Sequence, residues 1–243
     1  MRNRTKYNSK KTIERELNKI YNTDCLEFMA KMEDKSVDLV IADPPYEIAT
    51  GGGGVAIGRV QNKTSLNKIS NGFNIEAVLN ECERLCKRLN AFIFCSNKQI
   101  SKLMSWGETR GYSAVCLVWH KPNAIPFTNG TYKSDLEYCI HIRAKGALCQ
   151  GKGAIKSKLF TRNCQKSQFG HPTEKPLELI QKFILIGSNE NDVVFDPFMG
   201  SGTTAVACKE LGRNFIGCEI ESKYCQIAEK RVANTQKGLF DEL

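Results

Sequence analysis

Residues 37–46 read Val-Asp-Leu-Val-Ile-Ala-Asp-Pro-Pro-Tyr, and this stretch decides the fold. Val37 to Ala42 is a near-continuous apolar run of strand length, the pattern of a strand buried on both faces of a parallel sheet. Asp43-Pro44-Pro45 ends it, because neither proline can donate to a β-ladder. Asp43 and Tyr46 therefore fall at the carboxyl end of a buried strand, where open α/β sheets bind their ligands.

Outward from this stretch, strand and helix patterns alternate. Before it come a short strand over 18–22 and a helix over 24–32 with Asp24 as a possible N-cap. After it, helices are predicted over 74–87, 99–108, 176–186, 203–211 and 222–233. Strands are predicted over 91–95, 112–119, 136–142, 193–195 and 214–218. Such alternation predicts an α/β fold with a mainly parallel sheet. Residues 49–72 carry no sustained pattern and include Gly51-Gly52-Gly53-Gly54. A stretch of that length serves either as a closing loop or as a plain connector.

The tetrapeptide Asp43-Pro44-Pro45-Tyr46 suits chemistry on a base amino group. The lone pair of such a group is delocalised into the ring, so its nitrogen is a poor nucleophile. Acceptors for both N–H groups draw the nitrogen toward tetrahedral geometry and free the lone pair. Asp43 offers a carboxylate oxygen, and Pro44 offers a backbone carbonyl whose direction its own ring helps to fix. Tyr46 offers an aromatic face for an extruded base. The plain alternative is a strand-ending turn, since Asp-Pro pairs initiate turns.

A second motif spans Phe195-Asp196-Pro197-Phe198-Met199-Gly200-Ser201-Gly202-Thr203-Thr204. Here a strand runs through Gly-x-Gly into a helix whose free N–H groups can receive a carboxylate. No phosphate-loop Gly-Lys-Ser/Thr follows, and the full Gly-x-Gly-x-x-Gly of the dinucleotide fold is missing. Glu219 stands 23 residues beyond Asp196, just past the next strand, where an acidic side chain can accept both hydroxyls of a ribose. A nucleoside cofactor without pyrophosphate fits this arrangement better than a nicotinamide dinucleotide. The alternative is an ordinary capped strand–turn–helix.

The chain has 243 residues and a formal net charge of +9, which favours a polyanionic partner such as nucleic acid. No apolar stretch approaches the roughly 20 residues that span a bilayer, so no membrane partner is expected. The 11 cysteines form no Cys-x-x-Cys pair, and many sit in apolar runs as small hydrophobes. Met1 to Lys11 is basic and polar with no apolar run behind it. Free thiols in a reducing, cytoplasmic protein are expected, with no metal.

Together the motifs resemble those of the amino-group DNA methyltransferases, the N6-adenine and N4-cytosine enzymes, in the permuted order that puts DPPY before FDPFMGSGTT. His171-Pro172-Thr173-Glu174-Lys175-Pro176 resembles the element that this family places before the cofactor strand. The resemblance spans most of the chain. It implies a Rossmann-like methyltransferase fold, a mostly parallel seven-stranded sheet with helices on both sides, and S-adenosylmethionine across the strand ends. It also implies that Asp43, Pro44, Pro45 and Tyr46 hold and stack on a flipped base. Phe198, Gly200, Ser201, Gly202 and Thr203, with Asp196 at the head of the turn, would surround the methionine part of the cofactor. Glu219 would bind the ribose, Asp24 and Cys25 the adenine ring, and Lys175 would lie near the cofactor carboxylate. The family usually has Asp where Glu219 stands. Asp43 favours adenine, since Ser is more usual there in the cytosine enzymes. N4-cytosine transfer, RNA or protein methylation, and an inactive DNA-binding regulator remain alternatives.

The resulting expectation is a basic extension over 1–16, a catalytic half over 17–120, a target-recognition region over 121–169 and a cofactor half over 170–243. Between Lys121 and Lys175 there are ten Lys/Arg against three Asp/Glu. Arg143, Lys145, Lys152, Lys156, Lys158 and Arg162 are the candidate contacts to double-stranded DNA, the alternative being a solvated basic loop. The shortness of this region leaves a homodimer open, and the sequence leaves open whether a cognate restriction endonuclease accompanies the chain. His120, after Trp119 at a strand end, is either structural or close to the target base.

Overall fold

The structure is a computed structural model, and it describes residues 16–46, 73–124, 126, 132–164 and 174–238. The expectations for residues 1–15, for Gly51–Gly54 and for His171-Pro172-Thr173 fall outside these. Among the described residues eight strands form one sheet in the order β1-β8-β7-β2-β3-β5-β4-β6. They are β1 (Lys19–Asn22), β2 (Leu39–Ala42), β3 (Asn90–Cys95), β4 (Ser113–His120), β5 (Leu136–Arg143), β6 (Leu159–Thr161), β7 (Val193–Asp196) and β8 (Asn214–Glu219). Every pairing is parallel except the two made by β5, which runs antiparallel between β3 and β4.

The sheet thus has one strand more than the seven expected. The addition is β6, three residues paired with the outer edge of β4. Leu159 and Thr161 are exposed and only Phe160 is half-buried. A short edge strand that buries so little shows no apolar periodicity, so hydrophobic patterning passes over it.

β2 and β3 are buried at every residue, as the run up to Ala42 demands. Their side chains alternate between two cores. Val40, Ala42, Ala91 and Ile93 face α1 (Cys25–Met29), α2 (Ile75–Leu85) and α3 (Ile100–Thr109). Leu39, Ile41, Phe92 and Phe94 face α4 (Leu177–Gly187), α5 (Thr203–Glu210) and α6 (Ser222–Asn234). Period-2 alternation of apolar residues on both faces is what lets helices cover both sides. Within the second core, Phe92 lies between His141 and Phe183, with ring centroids 3.9 and 4.3 Å away. Each such buried aromatic stabilises the fold by about 1.5–3 kcal/mol.

Asp24 caps α1 by accepting from the Glu27 amide at 3.0 Å, and Asn74 caps α2 through the Ala77 amide at 3.2 Å. All eleven cysteines are free. Among the described residues no helix is long and apolar enough to cross a membrane. No group of metal-binding side chains occurs among them either.

Candidate active site

β2 and β7 are neighbouring parallel strands, with Leu39 opposite Val194 and Val40 opposite Phe195. Both motifs begin where these strands end. Asp43, Lys175, Phe198, Gly200, Ser201 and Thr203 consequently line one cleft with about 390 Å³ of empty volume. Two segments some 150 residues apart in the chain share one cavity, as the two sequence motifs require.

The glycine turn owes its shape to left-handed backbone. Gly200 has φ +55° and Gly202 has φ +88°. A Cβ on Gly202 would lie 2.7 Å from Ala228 Cβ, so α6 packs directly on the turn. Asp196 organises the approach: its Oδ2 accepts from the Thr204 hydroxyl at 2.6 Å and its Oδ1 from the Phe198 amide at 2.9 Å. Burial pushes the Asp196 carboxyl up to about 7 despite these bonds. Arg231 donates to Ser201 O at 2.7 Å and pairs with Glu174 Oε1 at 2.8 Å. Its guanidinium ties α6, the turn and the segment before α4 together.

Glu219, at the end of β8, accepts from the Gly200 amide at 2.7 Å and from the Glu221 amide at 2.8 Å. Each oxygen accepts one of these bonds. A carboxylate has about four lone-pair sites. Acceptor capacity for a ribose diol therefore remains, and the longer Glu reaches back to the turn. Burial raises the Glu219 carboxyl above the usual range in spite of these amides. Asn22 lies opposite Glu219 in the β1–β8 ladder, which brings Asp24 and Cys25 to the same end of the sheet. Burial pushes the Cys25 thiol up to about 12, so it stays protonated and is no nucleophile; it packs in the first core. Left-handed glycines, spare carboxylate capacity and an adjoining cleft fit a nucleoside bearing an amino-acid tail.

Lys175 lines the cleft, but its ammonium is committed to carboxylates. It pairs with Asp43 Oδ2 in a short contact and with Glu137 Oε1 at 2.9 Å. Glu137, on β5 opposite Trp119, also meets Lys121 Nζ at 3.2 Å through its other oxygen. The Tyr46 hydroxyl lies 2.9 Å from Asp43 Oδ1 and 3.0 Å from Glu137 Oε1. Burial raises Asp43 although Lys175 opposes it. Burial acts upward on Glu137 too, but Lys175 and Lys121 outweigh it and hold that carboxyl down at about 2. Lys175 is itself raised: burial would lower it, but Asp43 and Glu137 prevail. Tyr46 is raised by burial and by the two carboxylates.

Sequence reading missed Glu137 and Lys121. A signal existed: Glu137 is one of only three acids in the basic stretch, and it sits on a strand. Of the six basic candidates, Arg162 follows β6 at the cleft end of the sheet, where its amide donates to His120 O at 3.1 Å. Its side chain pairs with Glu178 at 2.7 Å. Lys158 is exposed at the start of β6. Arg143 pairs with Asn90 and Ser113 at the opposite end of the sheet, and Lys145 follows it there. Lys156 donates to Cys149 O at 2.8 Å, and Lys152 is exposed before the short 3₁₀ turn Gly153–Lys156. The six do not form one patch. His120 ends β4 at the cleft end, half-buried.

The sequence model of the DNA methylase family, which covers N6 and N4 enzymes, matches residues 37–230. The Type II methyltransferase M2.DpnII of Streptococcus pneumoniae is 31% identical, over 93% of this chain and 91% of its own. The crystal structure of M1.HpyAVI in complex with SAM superposes with a TM-score of 0.66 at 30% identity, covering 88% of this chain and 98% of that one. The cytosine-N4-specific PvuII DNA methyltransferase shares the fold with a TM-score of 0.70 at 16% identity, over 87% of this chain and 85% of that one. A paired-motif cleft, a match over most of the chain and relatives of this kind lead to one assignment: the chain belongs to the amino-group DNA methylase family and is an S-adenosylmethionine-dependent DNA methyltransferase.

Proposed function

We propose that this enzyme methylates N6 of adenine in double-stranded DNA by direct in-line displacement on a flipped-out base. The observation that carries the reading is the cleft shared by Asp43 and the Gly200–Gly202 turn. S-adenosylmethionine supplies the methyl group as an electrophilic sulfonium. Phe198, Gly200, Ser201, Gly202 and Thr203 enclose its amino-acid end, Glu219 takes the ribose, and Asp24 with Cys25 borders the adenine. Asp43 and the Pro44 carbonyl accept the two N–H groups of the target, and the Tyr46 ring stacks on the base. Asp43 also stabilises the positive charge that develops on the attacking nitrogen. Holding donor and acceptor in line replaces a bimolecular encounter. Adenine is favoured over cytosine because the position holds Asp.

Residues 121–169 carry target recognition in this reading, although β5 and β6 within them belong to the catalytic sheet. Arg162 and Lys158 are the better-placed phosphate contacts, one on either side of β6. In this reading the enzyme works in the cytoplasm on duplex DNA.

Single-molecule sequencing of DNA from cells expressing the chain tests the proposal. N6-methyladenine in one short sequence context is the expected result. N4-methylcytosine in its place overturns the adenine assignment. Unmodified DNA, together with no transfer of labelled methyl in vitro, favours an inactive DNA-binding regulator.

A further inference from the structure

The Tyr46 hydroxyl has one proton and two carboxylates within reach, Asp43 at 2.9 Å and Glu137 at 3.0 Å. Only one of them can receive it at a time. The same two carboxylates share Lys175, and Glu137 is further held by Lys121 at 3.2 Å. The Glu137 side chain is only 15% exposed, yet none of the roles proposed above uses it. A carboxylate kept ionised in such a place needs partners that repay its loss of water. It has three, and two of them, Lys175 and Tyr46, also hold Asp43.

We infer that Glu137 is a positioning residue for methyl transfer, which takes the Tyr46 hydroxyl off Asp43 and leaves that Asp43 oxygen open to the target amino group. The inference rests on the base-holding role proposed for Asp43. With both acceptors charged and almost equidistant, turning the O–H from one to the other exchanges similar charge-assisted bonds. That rotation moves a hydrogen alone, so the ring stays where a base would stack. Lys175 bridges both carboxylates in either state and keeps Asp43 in place. Without Glu137 the hydroxyl would remain on Asp43 and compete with the incoming N–H.

The test is a pair of variants assayed for tritiated methyl transfer to DNA at saturating DNA over a range of cofactor concentrations. Glu137→Gln substitutes a neutral, weaker acceptor, and the hydroxyl then prefers the charged Asp43. Expected is a fall in kcat of about tenfold or more, with the KM for S-adenosylmethionine within about twofold of wild type, since a charge-assisted bond is at stake. Adding Tyr46→Phe to Glu137→Gln removes the competing hydroxyl and is expected to raise kcat above that of Glu137→Gln alone. An unchanged kcat in Glu137→Gln overturns the inference, as does the absence of any gain in the double variant. If Glu137→Gln fails to fold, Glu137→Asp carries the same comparison, because it keeps the charge and withdraws it by one methylene. If the wild-type chain transfers no methyl to DNA, the base-holding reading fails first and the role of Glu137 falls with it.

Discussion

Lys175 and Asp43 form a partly buried ion pair between residues 132 positions apart in the chain, with Glu137 on the other side of the same ammonium. The pair joins the segment before α4 to the end of β2, and it opposes the rise in the Asp43 pKa that burial causes. In the proposed mechanism transfer needs Asp43 as a carboxylate. In Lys175→Met the two carboxylates would face each other without the ammonium between them, Lys121 still holding Glu137 ionised, and such like-charge pairs push one pKa, here that of Asp43, upward. The activity of Lys175→Met should therefore fall on acidification at a higher pH than that of wild type, by at least about one pH unit. A profile of kcat/KM between pH 5 and 9 checks this; an unchanged acidic limb would remove Lys175 from the control of Asp43.

Asp43→Ala should lose methyl transfer by a factor of about 10²–10³ or more, the size seen when a preorganised polar group is removed. The fold should persist, because Lys175 keeps Glu137 as a partner. A stability loss of about 1–3 kcal/mol is expected from the broken charged bond. Far-ultraviolet circular dichroism and urea melts report the second quantity, and labelled methyl transfer the first. Near-normal turnover would take Asp43 out of the mechanism.

Two glycines offer a matched comparison. Gly202 has φ +88° and no room for a Cβ beside Ala228, whereas Gly111 has φ +75° and nothing within 4 Å of its missing Cβ. Gly202→Ala should cost about 2–4 kcal/mol, combining left-handed strain with overpacking, and should weaken cofactor binding. Gly111→Ala should cost only about 1–2 kcal/mol and leave cofactor binding unchanged. Thermal melts and calorimetric titration with S-adenosylmethionine separate the two; equal losses would contradict the packing of α6 on the turn.

His141 gives a pH dependence remote from the site. Burial lowers its pKa to about 3. Asn90 donates through its amide nitrogen to Leu148 O and Gly187 O, so its oxygen faces His141 Nε2 at 2.9 Å and accepts from an Nε2–H tautomer. The folded pKa lies below the unfolded one, so this contribution is full above about pH 6.5 and is lost as pH falls toward 3. His141→Phe should shrink the stability difference between pH 7 and pH 5 by about 2 kcal/mol. Urea melts of both proteins at the two pH values measure it, and an equal difference would mean that His141 titrates normally.

Much of the fold could be read from apolar periodicity. The run ending at Ala42 behaves as a strand buried on both faces, and Asp24 and Asn74 cap the helices that follow them. The two motifs declared themselves because proline and glycine act on the backbone where they stand. Strand order left no such mark. Nothing local to residues 136–143 says that β5 turns antiparallel between β3 and β4, and that placement alone carries Glu137 to Asp43. For the same reason a basic stretch that looked continuous divides between opposite ends of the sheet, Arg143 at one and Arg162 at the other. β6 escaped notice because an edge of three residues buries almost nothing.

The adjacency of β2 and β7 has a mechanical consequence. Neighbouring strands stand about 4.8 Å apart, held by backbone bonds in the interior of the domain. In the proposed reading, the span between methyl donor and methyl acceptor is therefore gauged by this ladder and not by any surface loop. Outer segments can be exchanged, and new DNA words acquired, without recalibrating the distance over which the methyl travels.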